Sequence, residues 1–121
     1  LSSHYGFPLQ MPPDFPVRTV LAMRALTSLP TEQIPQAAHS LFNAYWIDNQ
    51  DIADPEVVAA LVGQDAVEQA RVHEIKDALF RTTAEAVKLG AFGAPTFFVG
   101  EEMFFGHDRL NLLEEHLRGE L

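Results

Sequence analysis

Two short apolar runs near the C-terminus limit most strongly what this chain can fold into. Gly90 to Leu110 reads GAFGAPTFFVGEEMFFGHDRL. Within it, TFFVG and EMFFG are joined by Gly100-Glu101, the spacing of a β-hairpin. A strand with one wet face alternates apolar and polar residues. Here Phe97, Phe98 and Val99 are consecutive, as are Met103, Phe104 and Phe105, so both faces are apolar. A lone two-stranded ribbon is marginal in water. The runs therefore read as interior strands of a larger sheet, and no other stretch of the chain reads as a strand. The remainder of that sheet is expected outside these residues. Leu1-Ser2-Ser3-His4 carries no initiator Met and reads as the tail of a helix, which also points to residues upstream.

Upstream of the hairpin the pattern is helical. Residues 6–16, GFPLQMPPDFP, hold four prolines in a loop that Phe7, Leu9, Met11 and Phe15 can anchor. Apolar spacing predicts a helix over 17–28, stopped by Pro30, and another over 32–49 with Thr31 as its cap. Ile34, Ala38, Leu41, Phe42, Tyr45 and Trp46 form the apolar side of the latter. Asp54-Pro55-Glu56 is a helix start, with a cap, a proline at the first position and an acid in the first turn. That helix ends near Gly63. Asp65 is expected to cap a helix over 66–80. Thr82 and Glu85 match a T-x-x-E capping box, which places a further helix over 83–89, closed by Gly90. A last helix is expected over 108–118. The order is five helices, a hairpin and a helix. The expected division is 1–89, a helical domain with a Pro-rich entry loop, and 90–121, a β-β-α unit.

A net charge of −9 repels phosphate backbones, so a nucleic acid partner is not expected. No apolar run approaches the roughly 18 residues a membrane span needs, and no signal-peptide pattern is present, so the expected setting is cytoplasmic, away from membranes. The chain has no cysteine, hence no disulfide, redox dithiol or thiolate metal site within it. His39 and His73 have no second histidine at helical spacing, so no metal site is expected.

Pro95 lacks an N–H and is tolerated at the first position of a strand. The Ala94–Pro95 bond can be an ordinary trans link or a cis turn. A cis turn would aim the Ala94 N–H and C=O outward, giving an extended peptide a docking edge. Asp108 can cap the last helix. The same helix start offers free N–H groups to a ligand carboxylate, and Asp108 beside them could hold an ammonium. Such a pair would recognise an amino-acid head group.

These residues resemble a known signature. Gly90, Phe92, Gly93, Pro95 and Thr96, followed by Phe105, Gly106, Asp108 and Arg109, are similar to the C-terminal motif of the thioredoxin-fold family that contains 2-hydroxychromene-2-carboxylate isomerases, kappa-class glutathione transferases and, more distantly, DsbA. Pro12, Pro13, Phe15 and Pro16, the AMRAL segment at 22–26 and the LFNAYWIDNQDIADPEVV stretch resemble the family's helical insertion. The fold implied is α/β, a thioredoxin-like (DsbA/kappa type) fold with a helical insertion domain, seen here as a mostly helical part plus a C-terminal β-hairpin and helix. The opening β-α-β unit, with the catalytic Ser or Cys-x-x-Cys, is then not among these residues, and no catalytic residue is assigned to the chain.

By the same resemblance Pro95 is cis, and Ala94 and Pro95 meet the cysteinyl part of glutathione. His107 and Asp108 meet its γ-glutamyl end, although His107 departs from the amide or Ser more usual at that position. Phe42 and Trp46 are candidates for the wall of an aromatic substrate pocket; helix core is the other reading of both. The implied activity is a glutathione-dependent cis–trans isomerase on a small aromatic substrate, acting as a homodimer. A thiolate can add to a conjugated carbon, permit rotation and leave, provided the enzyme favours the thiolate over the thiol. The alternatives are a kappa-class transferase, a DsbA-like thiol-disulfide oxidoreductase, or a binding module whose hairpin edge pairs with a partner chain.

Overall fold

The computed structural model describes residues 6, 8–13 and 15–119. Phe7, expected to anchor the entry loop, and the helix tail expected at residues 1–4 lie outside the described residues. The described elements are α1 (Val20–Ser28), α2 (Ile34–Trp46), α3 (Pro55–Val62), α4 (Gln64–Gln69), α5 (His73–Lys88), β1 (Thr96–Val99), β2 (Glu102–Phe105) and α6 (Leu110–Leu117), with 3-10 turns at Thr31–Gln33 and His107–Arg109. The chain divides into two compact units between Phe80 and Arg81, within α5 and upstream of the 89/90 boundary expected from the sequence. No described helix is long and apolar enough to cross a membrane.

The first unit is built around α1, which presents two alanines three residues apart to two clusters. Ala22 packs with Leu41, Ala44, Tyr45 and Ile52. Ala25 packs with Val58, Ala66, Val67 and Ala70. Both alanines are buried, and their small side chains let α2 on one side and α3–α4 on the other approach the α1 backbone. The start of α3 follows the sequence reading: an Asp54 carboxylate oxygen accepts the Glu56 N–H at 2.9 Å, and Pro55 fills the first position. The Pro-rich entry loop is fastened to the end of α2, where the Gln10 N–H donates to the Trp46 carbonyl at 2.8 Å and Asn49 Nδ2 donates to Gln10 Oε1 at 3.0 Å.

Several helix ends differ from expectation. Val17 lies outside α1. Thr31 caps nothing with its side chain; Pro30 holds the cap position of a 3-10 turn, and α2 begins only at Ile34. It ends at Trp46 rather than residue 49, because the Asp48 N–H turns back to the Asn43 carbonyl and Asn49 adopts a positive φ of 53°. Asp65 lies inside the first turn of α4, and Gly63, at φ 104°, takes the cap position. The helices expected over 66–80 and 83–89 are redrawn as α4 and α5. The break falls at Ala70–Val72, where Arg71 and Val72 donate to the Glu68 and Gln69 carbonyls three residues back. Thr82 and Glu85 lie inside the unbroken α5.

In the second unit the end of α5 closes as expected on Gly90, at φ 108°, whose N–H donates to Val87 O at 3.0 Å. β1 and β2 pair antiparallel, with Thr96 opposite Phe105 and Val99 opposite Glu102. Gly100-Glu101 is a two-residue turn with Gly100 at φ 60°. The Phe104 and His116 rings lie 5.5 Å apart, bringing α6 against β2.

Candidate functional site: a bare backbone position and an apolar groove

The two ends of GAPTFFVGEEMFFGHD meet in the second unit. The Gly106 N–H donates to the Pro95 carbonyl at 2.9 Å, one step beyond the Thr96–Phe105 pair. The Thr96 hydroxyl donates to the Gly93 carbonyl. The carbonyls on either side of Ala94 are therefore occupied. Ala94 itself is exposed, and among the described residues neither its N–H nor its C=O takes part in a hydrogen bond. The Ala94–Pro95 bond is cis, as is Phe15–Pro16, which nothing in the sequence reading singled out.

Two glycines make this approach possible. A Cβ at Gly93 would stand 2.9 Å from the Phe105 ring, which also packs on Phe92 with centroids 4.6 Å apart. Gly106, buried and at φ 95°, has its Cα hydrogens facing Asp108; a Cβ there would stand 2.5 Å from an Asp108 carboxylate oxygen. Asp108 thus folds back toward the end of the hairpin. The sequence assigns Asp108 the cap of the last helix, and the structure does not form it. Gly106 holds the cap position, and its carbonyl accepts the Arg109 N–H at 3.2 Å, so the turn opens earlier and as a 3-10 turn. His107 and Asp108 are both exposed, and among the described residues neither side chain has an ion-pair or hydrogen-bond partner. Four of the six sequence candidates, Ala94, Pro95, His107 and Asp108, therefore share one end of this unit.

The other two, Phe42 and Trp46, share an apolar groove in the first unit. Its volume is about 300 Å³, and Phe15, Val17, Met23 and Tyr45 line it with them. Phe42 is 63% exposed, so it is not simply helix core. Trp46 packs against Phe15 at 6.0 Å and edge-on to Tyr45 at 4.9 Å between centroids. Sequence reasoning placed Tyr45 on the apolar side of its helix and missed its polar end. The Tyr45 hydroxyl is buried and lacks a partner among the described residues. A tyrosine amid a run of helix-face apolar residues was the available signal, since its hydroxyl needs a partner that a core does not supply. Among the described residues no group of three or more His, Asp or Glu converges as a metal site would require.

The DSBA-like thioredoxin domain model matches residues 1–118. The chain is 30% identical to human glutathione S-transferase kappa 1 over 99% of its length, and 30% identical to 2-hydroxychromene-2-carboxylate isomerase of Sphingobium xenophagum over 96%. Each alignment spans 62% of the relative, so the chain covers less than two thirds of either. A solved structure of 2-hydroxychromene-2-carboxylate isomerase superposes on 98% of the chain with a TM-score of 0.79 at 25% identity, and 61% of that structure is covered.

Proposed function

The chain belongs to the DSBA-like thioredoxin domain family, and from that premise we propose that it carries the peptide-docking hairpin and a substrate-pocket wall of a glutathione-dependent isomerase acting on a small aromatic compound. The observation that supports this most is the bare main chain of Ala94. An exposed N–H and C=O on one residue, between two occupied carbonyls, suit antiparallel pairing with a short extended peptide. Glutathione has a peptide of that kind at its cysteinyl centre. The Asp108 carboxylate, without a partner among the described residues and folded toward the same end, suits the ammonium of the γ-glutamyl group. His107 offers a ring N–H or lone pair beside it.

When bound, glutathione would supply a thiol whose anion can add to a conjugated carbon and leave again. The chain's own residues would hold the peptide in register, fix the head group and exclude water from the aromatic substrate. The last role falls to the groove around Phe42 and Trp46. At about 300 Å³ it is at the lower limit of small-molecule pockets, the size for a fused two-ring compound. The Tyr45 hydroxyl, enclosed in the free protein, would meet an oxygen of that compound only if the groove opens around it. A kappa-class transferase is the second reading, supported by an identity to the human transferase equal to that for the isomerase. A homodimer and a cytoplasmic setting are part of the same proposal.

Calorimetric titration of the purified protein with S-methylglutathione tests the hairpin. Asp108→Ala is expected to weaken binding at least tenfold, with the melting temperature unchanged within about 2 °C. Equal affinity in the variant would remove Asp108 from the site. No binding to either protein would overturn the reading. Turnover of a hydroxychromene carboxylate against conjugation of a chlorinated aromatic then separates isomerase from transferase.

A further inference from the structure

The chain has eight Lys and Arg residues against seventeen Asp and Glu, yet four of the eight line one cleft in the helical unit. Arg18 and Arg24 reach it from α1 and the residues before it, Arg71 from the link between α4 and α5, and Lys76 from the first turns of α5. The cleft holds about 320 Å³, and no acidic residue lines it. The two carboxylates flanking Ala53, which forms part of its wall, are turned to the backbone: Asp51 accepts the Ala53 N–H at 3.0 Å and Asp54 the Glu56 N–H. Among the described residues none of the four cations has an ion-pair partner. The Nε of Arg24 is buried and makes no hydrogen bond among the described residues.

This is an unusual use of scarce positive charge. Acids outnumber bases about two to one, so exposed cations normally find carboxylates nearby. Four like charges around one cleft repel one another, and a buried guanidinium N–H without an acceptor is the kind of group that native proteins leave only for a reason. Three guanidinium groups present planar donor forks, the geometry that grips phosphate oxygens in pairs, and a lysine adds a point charge. Val20 and Leu21 supply an apolar patch in the same cleft.

We propose that this cleft binds the phosphate group of a small organic molecule, through Arg18, Arg24, Arg71 and Lys76. A dianion compensates two of the four charges and offers acceptors to the guanidinium groups that line the cleft. The apolar patch receives the organic part. The negative field of the remaining surface excludes polyanions such as nucleic acid, so a single compact phosphate is the ligand that enters. The site uses none of the residues assigned to glutathione or to the aromatic groove, and stands or falls separately from them.

The test is calorimetry on the purified full-length protein, at fixed ionic strength, with orthophosphate, pyrophosphate and phenyl phosphate as probes and sodium chloride as the blank. Saturable binding is expected. Arg71→Gln with Lys76→Gln, both at exposed positions, should weaken it at least tenfold while the melting temperature and the S-methylglutathione affinity hold. Arg118→Gln, on α6 and paired with Glu114, should leave phosphate binding unchanged. Tighter binding of phenyl phosphate than orthophosphate supports an organic ester as the ligand; equal binding overturns the role given to the apolar patch and with it the organic ligand. No saturable binding of any probe, or affinity undiminished in the double variant, overturns the site.

Discussion

A methyl group added at Gly93 would press within 2.9 Å of the Phe105 ring, which packs on Phe92. The φ of Gly93 is not in the left-handed region, so the cost is one of space alone. Overpacking in a closed core costs about 1–3 kcal/mol, and because Phe92 and Phe105 are exposed and their rings can yield, the cost here falls at the lower end, about 1 kcal/mol. Gly93→Ala is expected to lower stability by that amount, read from denaturant unfolding followed at the aromatic residues, and, on the proposed docking role of Ala94, to weaken S-methylglutathione binding with it. Tyr45→Phe has the opposite sign. It removes a buried hydroxyl with no partner among the described residues, so stability should hold or rise by up to about 1 kcal/mol. If Tyr45 meets the substrate, KM rises in the same variant. A structural tyrosine would lose stability and leave KM alone.

At the scale of elements, α3 depends on its cap. Asp54→Ala removes the bond to the Glu56 N–H and should cost about 1 kcal/mol, measured as a lowered urea midpoint at constant m-value. That cap was legible because Asp-Pro-Glu states a helix start in three residues with separate physical roles. The hairpin was legible for the same kind of reason, its turn residues and apolar runs agreeing on one register. The division between α4 and α5 was not. No Gly or Pro marks Ala70–Val72, and the helix stops there as Val67 and Ala70 lock against Ala25 and Val58. Thr82 and Glu85 offered a local capping signal that a continuous helix overrode. Of the candidate site, the meeting of Ala94, Pro95 and Asp108 at one end of the hairpin was legible through their motif. What no motif carried was the fate of each backbone group: that Gly93 and Pro95 would be occupied and Ala94 left bare depends on the closed hairpin. The basic cleft escaped for another reason, since its members are scattered from residue 18 to residue 76 and only packing gathers them.

At the scale of the whole molecule, charge and exposed apolar surface act against each other. Phe80, Val87, Phe92 and Leu117 are each more than 60% exposed. A net charge of −9 keeps such surfaces apart near neutral pH, and the isoelectric point is about 4.8. Light scattering should rise as pH falls from 7 toward 5, as the net charge shrinks on approach to the isoelectric point. Added salt at pH 7 should raise it too, by screening. The chain spans under two thirds of the relatives it matches, and a protein of their full length is expected to scatter less if the additional residues cover these side chains.

The alternation of occupied and bare carbonyls around Ala94 also makes this end of the hairpin a clock. Amide protons held in hydrogen bonds exchange with solvent deuterium only when the structure opens, whereas bare exposed ones exchange at the rate of an unfolded peptide. The Gly106 amide is bonded to Pro95 and the Ala94 amide is not, so the two should lose their protons on different timescales in the free protein. A peptide ligand laid along this edge would slow Ala94 toward its neighbour and leave Gly106 almost unchanged. One pair of amides a few ångströms apart would then report occupancy and local opening separately, with no label added.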